Sequence, residues 1–177
     1  SIARARTLTV LRQLDGERKG LLLRFLSESD LIGKEGQEEP VVYLSGADLR
    51  GANLRWASLD WASLEETYLS GASLSGASLH HANLTGAWLD RADLHGAWFG
   101  ETILSDADLS KSNLSGGRCC GDDLDGADLR GANLEGAVLD SVYLRGANLE
   151  GARVSNEQLT QAKSLERAIL PDGTVHE

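Results

Sequence analysis

From Leu44 to Val154 an apolar residue returns at every fifth position without one insertion or deletion. Of these 23 centres, all are Leu except Phe99, Cys119 and Val154. Two residues before most centres stands a small residue, usually Ala, as at Ala47, Ala52, Ala57 and Ala62. The residue just before the centre is often Asp or Asn, as in Ala47-Asp48-Leu49 and Ala147-Asn148-Leu149. A period of five fits neither the 3.6 of an α-helix nor the 2 of a flat strand. It fits a chain that turns a corner once per repeat and points two residues of each short side inward. Four sides close a square coil, and coils stack about 4.8 Å apart. The 23 centres predict five to six such coils. Stacking answers the hydrogen-bonding demand of every buried amide, and each buried Leu contributes about 1.5–3 kcal/mol before chain entropy is counted.

Two residues after each centre lies Gly in 13 of 22 intervals. A type II turn needs φ > 0 at its third residue, which Gly adopts without steric cost. Type II corners are therefore expected at the glycines. At Trp56, Trp61, Glu66, Glu101, Asp106 and Lys111 the same reasoning predicts a different turn.

The Ala-Asp/Asn-Leu-x-x register, sustained over nearly two thirds of the chain, resembles the pentapeptide-repeat family, including members from photosynthetic bacteria. The closing stretch from Ser155 to Thr174 and the opening with Leu14-Asp15-Gly16 and Phe25-Leu26 are similar to that family's flanking regions. The resemblance implies an all-β solenoid, a right-handed quadrilateral β-helix, here with short α-helical caps at its N- and C-terminal ends. It implies no particular function, although the best understood members are acidic dimers that imitate B-DNA and bind DNA gyrase.

The expected organisation is residues 1–40 as a helical cap and linker, 41–154 as the β-helix, and 155–177 as a capping helix and tail. An open coil end pairs with other chains unless it is covered. Residues 2–14 and 17–31 read as two amphipathic helices, Gly33 to Pro40 as a polar linker, and Ser155 with Gln158 as a capping box opening a helix over about 156–163. Ala168-Ile169-Leu170 reads as a last strand before a Pro171-Asp172-Gly173 turn.

No catalytic arrangement stands out, and the chain is read as a non-enzyme without cofactor or metal. His80 and His81 are adjacent in sequence, which is not a chelating spacing. The Asp residues mostly occupy the repeat's own polar position and read as outward-facing, without the cleft in which paired carboxylates do acid/base work. Cys119 and Cys120 are adjacent, a poor basis for a disulfide framework, and read as two thiols in a reducing compartment. Gly117 and Asp122 replace the inward Ala on either side of Cys119, which reads as an imperfect coil.

Net charge is −10, which disfavours direct binding to nucleic-acid phosphates. Residues 1–24 nonetheless carry a net +4, which suits either a solvated cap or a collar at an anionic membrane surface. No apolar run reaches the roughly 20 residues of a membrane span. Tyr68 and Trp88 occupy equivalent positions one coil apart, and with Trp98 they form the candidate protein-binding patch. The leading reading is a scaffold or protein-interaction module with an unidentified protein partner, as a monomer or weak dimer in the cytoplasm or at the cytoplasmic face of a membrane. The alternative is a DNA-mimicking regulator or protector of DNA gyrase. It requires an acidic stripe, and the line Arg50, Ser70, Asp90, Ser110, Arg130, Glu150 is mixed in sign.

Overall fold

The corner is the unit from which the architecture is built. In the computed structural model, which describes residues 2–33 and 42–177, all 22 corner positions two residues after a centre have positive φ. Trp56, Trp61, Glu66, Glu101, Asp106 and Lys111 lie at φ 53–61°, in the same left-handed region as glycines such as Gly51 at 62°. His81, Arg91 and Ser141 join them. The expectation of a different turn at those six corners is therefore corrected: stacked coils hold every corner residue, glycine or not, at left-handed φ. A left-handed L-residue costs about 1–2 kcal/mol, and the wall's hydrogen bonds, formed only in register, offset it.

The amide following each corner usually donates to the preceding centre's carbonyl, as Ala57 N–H does to Leu54 O at 3.1 Å. The Asp or Asn before a centre closes the corner from outside. Its side-chain oxygen accepts the N–H two residues on, as in Asp48 from Arg50 (3.2 Å), Asp108 from Ser110 (2.9 Å) and Asn133 from Glu135 (3.1 Å). This local bond is the physical reason for the repeat's polar position.

Successive coils pair in parallel with an offset of 20 residues, from Asp48 with Tyr68 to Asn133 with Arg153. Each side contributes a single-residue bridge instead of an extended strand. We number the sides by their centres: the first carries Leu44, Leu64 and so on to Leu144, the second Leu49 to Leu149, the third Leu54 to Val154, the fourth Leu59 to Leu139. These centres and the small residues beside them form one continuous buried core.

Two helices, α1 (Ile2–Leu11) and α2 (Gly16–Glu28), precede the coils. The Asp15 side chain accepts the N–H of Arg18 and so caps α2. α2 lies directly on the first coil: Asn53 N–H donates to Gly16 O (2.9 Å), and Ser27 Oγ donates to Ser58 O (2.6 Å). Gly16 and Gly20 permit this approach, because a Cβ on either would overlap the backbone carbonyl of Gly51 or Asn53. Leu11, Leu23 and Leu26 extend the core onto the helices. The linker expected between Gly33 and Pro40 lies, beyond Gly33, outside the described residues.

At the far end Ser155 and Gln158 form the expected capping box, but α3 (Asn156–Leu159) stops after one turn. Gln158 is drawn inward, its Nε2 donating to Leu134 O (2.7 Å) and Ala137 O (2.8 Å). The chain then resumes the wall one residue out of step, pairing Tyr143 with Ser164 and Asn148 with Ile169. Ile169 also pairs antiparallel with Val175, closing the chain in a hairpin.

Candidate interaction faces

Each face of the rod is a grid of outward positions fixed by the corners. Tyr68 and Trp88 fall on the second side, and their rings stack with centroids 4.4 Å apart and planes 15° apart. Both remain partly exposed, and Arg50 lies 5.8 Å from the Tyr68 ring centroid. Around them charges are matched locally: Arg50 pairs with Asp48 (2.7 Å), Arg91 with Asp90 (3.2 Å) and Arg130 with Asp128 (2.6 Å).

Trp98 stands on the fourth side, opposite this pair, so the three aromatic residues form two separate surfaces. It is flanked by Ser78 and Arg118 in the wall, with the Arg118 guanidinium 5.2 Å from its ring centroid. His80 meets it edge-on at 6.3 Å. Two residues that sequence reasoning used only as corners border the same side. Trp56 is 75% exposed, its indole laid over Gly76. Trp61 stacks on His81 at 3.9 Å. The signal for both was present in the sequence, as aromatics at a corner position that points outward.

The acidity is also unevenly distributed. The first side with its two corners, over residues 60–146, carries Asp60, Glu65, Glu66, Glu101, Asp106, Asp123, Asp125 and Asp140 against Arg145. Arg145 Nε lies 3.9 Å from Asp125 and 3.7 Å from Glu166. Reading single columns missed this face because its charges are spread across five columns of the grid. Among the described residues no group of three or more His, Cys, Asp or Glu is placed to hold a metal ion.

Parallel pairing every 20 residues around four Leu-centred columns defines a square β-solenoid with flat outer faces. The chain belongs to the pentapeptide-repeat family: the profile for pentapeptide repeats matches in eight copies, over residues 42–65, 57–96, 89–118 and 123–156. The right-handed β-helix is that family's solenoid. No curated protein matches the chain. Among solved structures it is similar to HetL, a pentapeptide repeat protein involved in heterocyst differentiation regulation in Nostoc sp. strain PCC 7120. That match has 29% identity, covers 76% of this chain and 87% of HetL, and has a TM-score of 0.33. It is also similar to QnrB1, a plasmid-mediated fluoroquinolone resistance protein, at 16% identity, 74% and 80% coverage and a TM-score of 0.43. A pentapeptide repeat protein from Cyanothece 51142 shares 34% identity over 59% of this chain and 64% of that one, with a TM-score of 0.26.

Proposed function

We propose that this protein is a non-catalytic interaction module, a rigid rod that presents fixed aromatic side chains to a protein partner. The observation that carries this reading is Trp56, three-quarters exposed at 75% and held at φ 59°. A large aromatic in a left-handed corner is unfavourable for folding, and its exposure gains the fold little burial. Exposed aromatics on a rigid support are the usual anchors of protein interfaces, and a preformed surface loses little entropy on binding. The N-terminal helices α1 and α2 serve as the cap of the first coil, and residues 155–177 as the cap of the last. Cys119 and Cys120 as free thiols support a reducing setting, in the cytoplasm or at the cytoplasmic face of a membrane. Among the described residues no helix is long and apolar enough to cross a membrane.

The test is retention of partners from native lysate, membrane fraction included, by wild type, Trp56→Gly and the Tyr68→Ser/Trp88→Ser double variant. Gly already fills the corresponding corners at Gly76, Gly96, Gly116 and Gly136, so Trp56→Gly leaves the fold intact. A partner held by wild type and lost with either variant supports the reading and locates the face. Equal retention by all three overturns it.

A second reading rests on the acidic first side. An extended face with eight carboxylates and one Arg suits a basic groove that otherwise holds DNA, which is the DNA-mimicking regulator or protector of DNA gyrase. Salt-sensitive binding of purified gyrase, weakened by Glu65→Gln/Glu66→Gln/Asp106→Asn, supports it. Absence of binding at low salt removes it.

A further inference from the structure

A carboxyl side chain sits inside the wall. The inward small-residue column of the first side runs Ala62, Ala82, Thr102, Asp122, Val142, and Asp122 is fully buried. Its placement answers a local defect. At ten of the 23 centres an Asp or Asn just before the centre closes the corner from outside, but before Phe99 that position is Trp98, which has no acceptor to offer. The 99–102 corner is further altered, with both Gly100 (φ 94°) and Glu101 (φ 57°) left-handed. Asp122, one coil further on, supplies the missing acceptor: its Oδ1 takes the N–H of Gly100 and that of Thr102, each at 2.9 Å. In the previous coil the amide equivalent to Thr102's, that of Ala82, donates to Leu79 O at 3.0 Å instead.

The second oxygen, Oδ2, is buried and has no hydrogen-bond partner among the described residues. Two amide donors on one oxygen are compatible with either charge state, because the carbonyl oxygen of a neutral carboxyl accepts as well. A buried, unpartnered oxygen is not compatible with a full negative charge without a large desolvation penalty. A proton on Oδ2 removes that penalty while both amide bonds persist.

We propose that Asp122 is a pH-dependent latch: neutral, it holds the 99–102 corner shut from within; ionised, it is drawn toward water and that corner opens. Burial pushes the Asp122 carboxyl up to about 7, with the Thr102 N–H and the Cys119 thiol acting in the opposite direction. Beyond those two donors, the described groups around the carboxyl offer no positive charge at hydrogen-bonding distance. Val142 above is apolar. Cys119, on the adjoining side, is a buried thiol pushed well up by desolvation and so carries no charge. Glu101 below adds like charge, which also favours the neutral form. Outside, His81 Nδ1 lies 3.6 Å from Glu101, and the His80 ring borders Gly100. A folded-state pKa above the unfolded carboxylate value stabilises the fold at low pH, and that stability is lost as pH rises toward 7.

The test compares wild type with Asp122→Asn by denaturant unfolding from pH 5 to pH 8, with amide exchange read at Gly100 and Thr102. The wild-type unfolding constant rises relative to the variant's by more than tenfold across that range, and exchange at the two amides rises with it. A ratio that stays within twofold across the range overturns the latch. Carboxyl carbon NMR of wild type needs no variant to fold: an Asp122 midpoint near neutral supports the latch, and one in the ordinary carboxylate range overturns it.

Discussion

A Cβ placed on Gly117 would stand 3.6 Å from Cε2 of Phe99 and 3.0 Å from the Leu114 carbonyl oxygen. The bulkiest fully buried side chain of the rod thus sits beside a position where even a methyl group is missing. Cys119, smaller than Leu, continues the same column one coil on. Gly117 and Cys119 are thus both smaller than the Ala and Leu that the repeat usually places there, beside a centre that is larger.

This arrangement makes Phe99 and Gly117 energetically coupled. Gly117→Ala sets a Cβ close to the Leu114 carbonyl and in contact with Phe99, and is expected to destabilise by no more than about 1 kcal/mol. Phe99→Leu leaves a void and costs about 1–2 kcal/mol. Together they restore the usual Ala and Leu pair, so the double variant loses less than the two single losses added. Urea unfolding of the four proteins in a double-mutant cycle measures the coupling.

Left-handed corners occupied by L-residues are sites where Gly improves stability. At Lys111, φ is 59°, and the exposed side chain makes no hydrogen bond or ion pair that the wall requires. Lys111→Gly is expected to raise stability by about 0.5–1 kcal/mol, the relieved strain being partly offset by unfolded-state entropy. Gly71→Ala, at φ 65° with open space around it, loses about 1 kcal/mol through the backbone alone. Thermal midpoints of both variants check the pair of signs.

Lys19 links α2 to the rod. It is only 6% exposed, and its Nζ lies 3.3 Å from Asp48 Oδ1 and 3.2 Å from Arg50 O. The Arg50 side chain, donating to the Asp48 carboxylate, holds that carboxyl well below the usual range against the opposing effect of burial. A depressed carboxyl contributes stability above its unfolded pKa and loses it as pH falls below about 4. Acidification from pH 4 to 2 is therefore expected to destabilise the first coil, mainly through the Asp48–Arg50 pair, and to weaken the seat of α2 by the smaller share that Lys19 contributes. Asp48→Asn destabilises at neutral pH by about 1–3 kcal/mol, because buried Lys19 loses its counter-charge, and flattens the acid limb. Unfolding monitored between pH 2 and 7 in both proteins decides this.

The seat of α2 is equally specific. Because a Cβ at Gly20 would overlap the Asn53 backbone carbonyl, Gly20→Val unseats the helix while the distant coils keep their pairing, as nearest-neighbour stability in a solenoid requires. Amide exchange is expected to accelerate in α2 and at Asn53 and to stay unchanged around Asn133. Uniform acceleration along the rod contradicts that local view.

Periodicity alone identified the coil, its 20-residue offset and the Tyr68–Trp88 stack, because equivalent positions in a square coil recur by counting. It did not identify the turn at the non-glycine corners. Local propensity argues against φ > 0 for Trp56 or Glu101, but hydrogen bonds to adjacent coils override it. Nor did it place Trp98 apart from Tyr68, although the same counting puts them on opposite sides. The acidic face stayed hidden because its charges are gathered from five columns, while any one column shows mixed residues.

The solenoid, then, follows from the sequence alone, since an apolar residue at every fifth position over 23 centres has one way to be buried. Only the tertiary structure decided what the exceptions mean. Gly20 is where a helix touches a carbonyl, Gly117 is room for Phe99, and Asp122 is an internal acceptor for amides 20 and 22 residues earlier. Periodicity reports burial, which repeats along the chain. Steric fit and hydrogen-bond satisfaction depend on atoms one coil away, and these are brought together only when the coils stack.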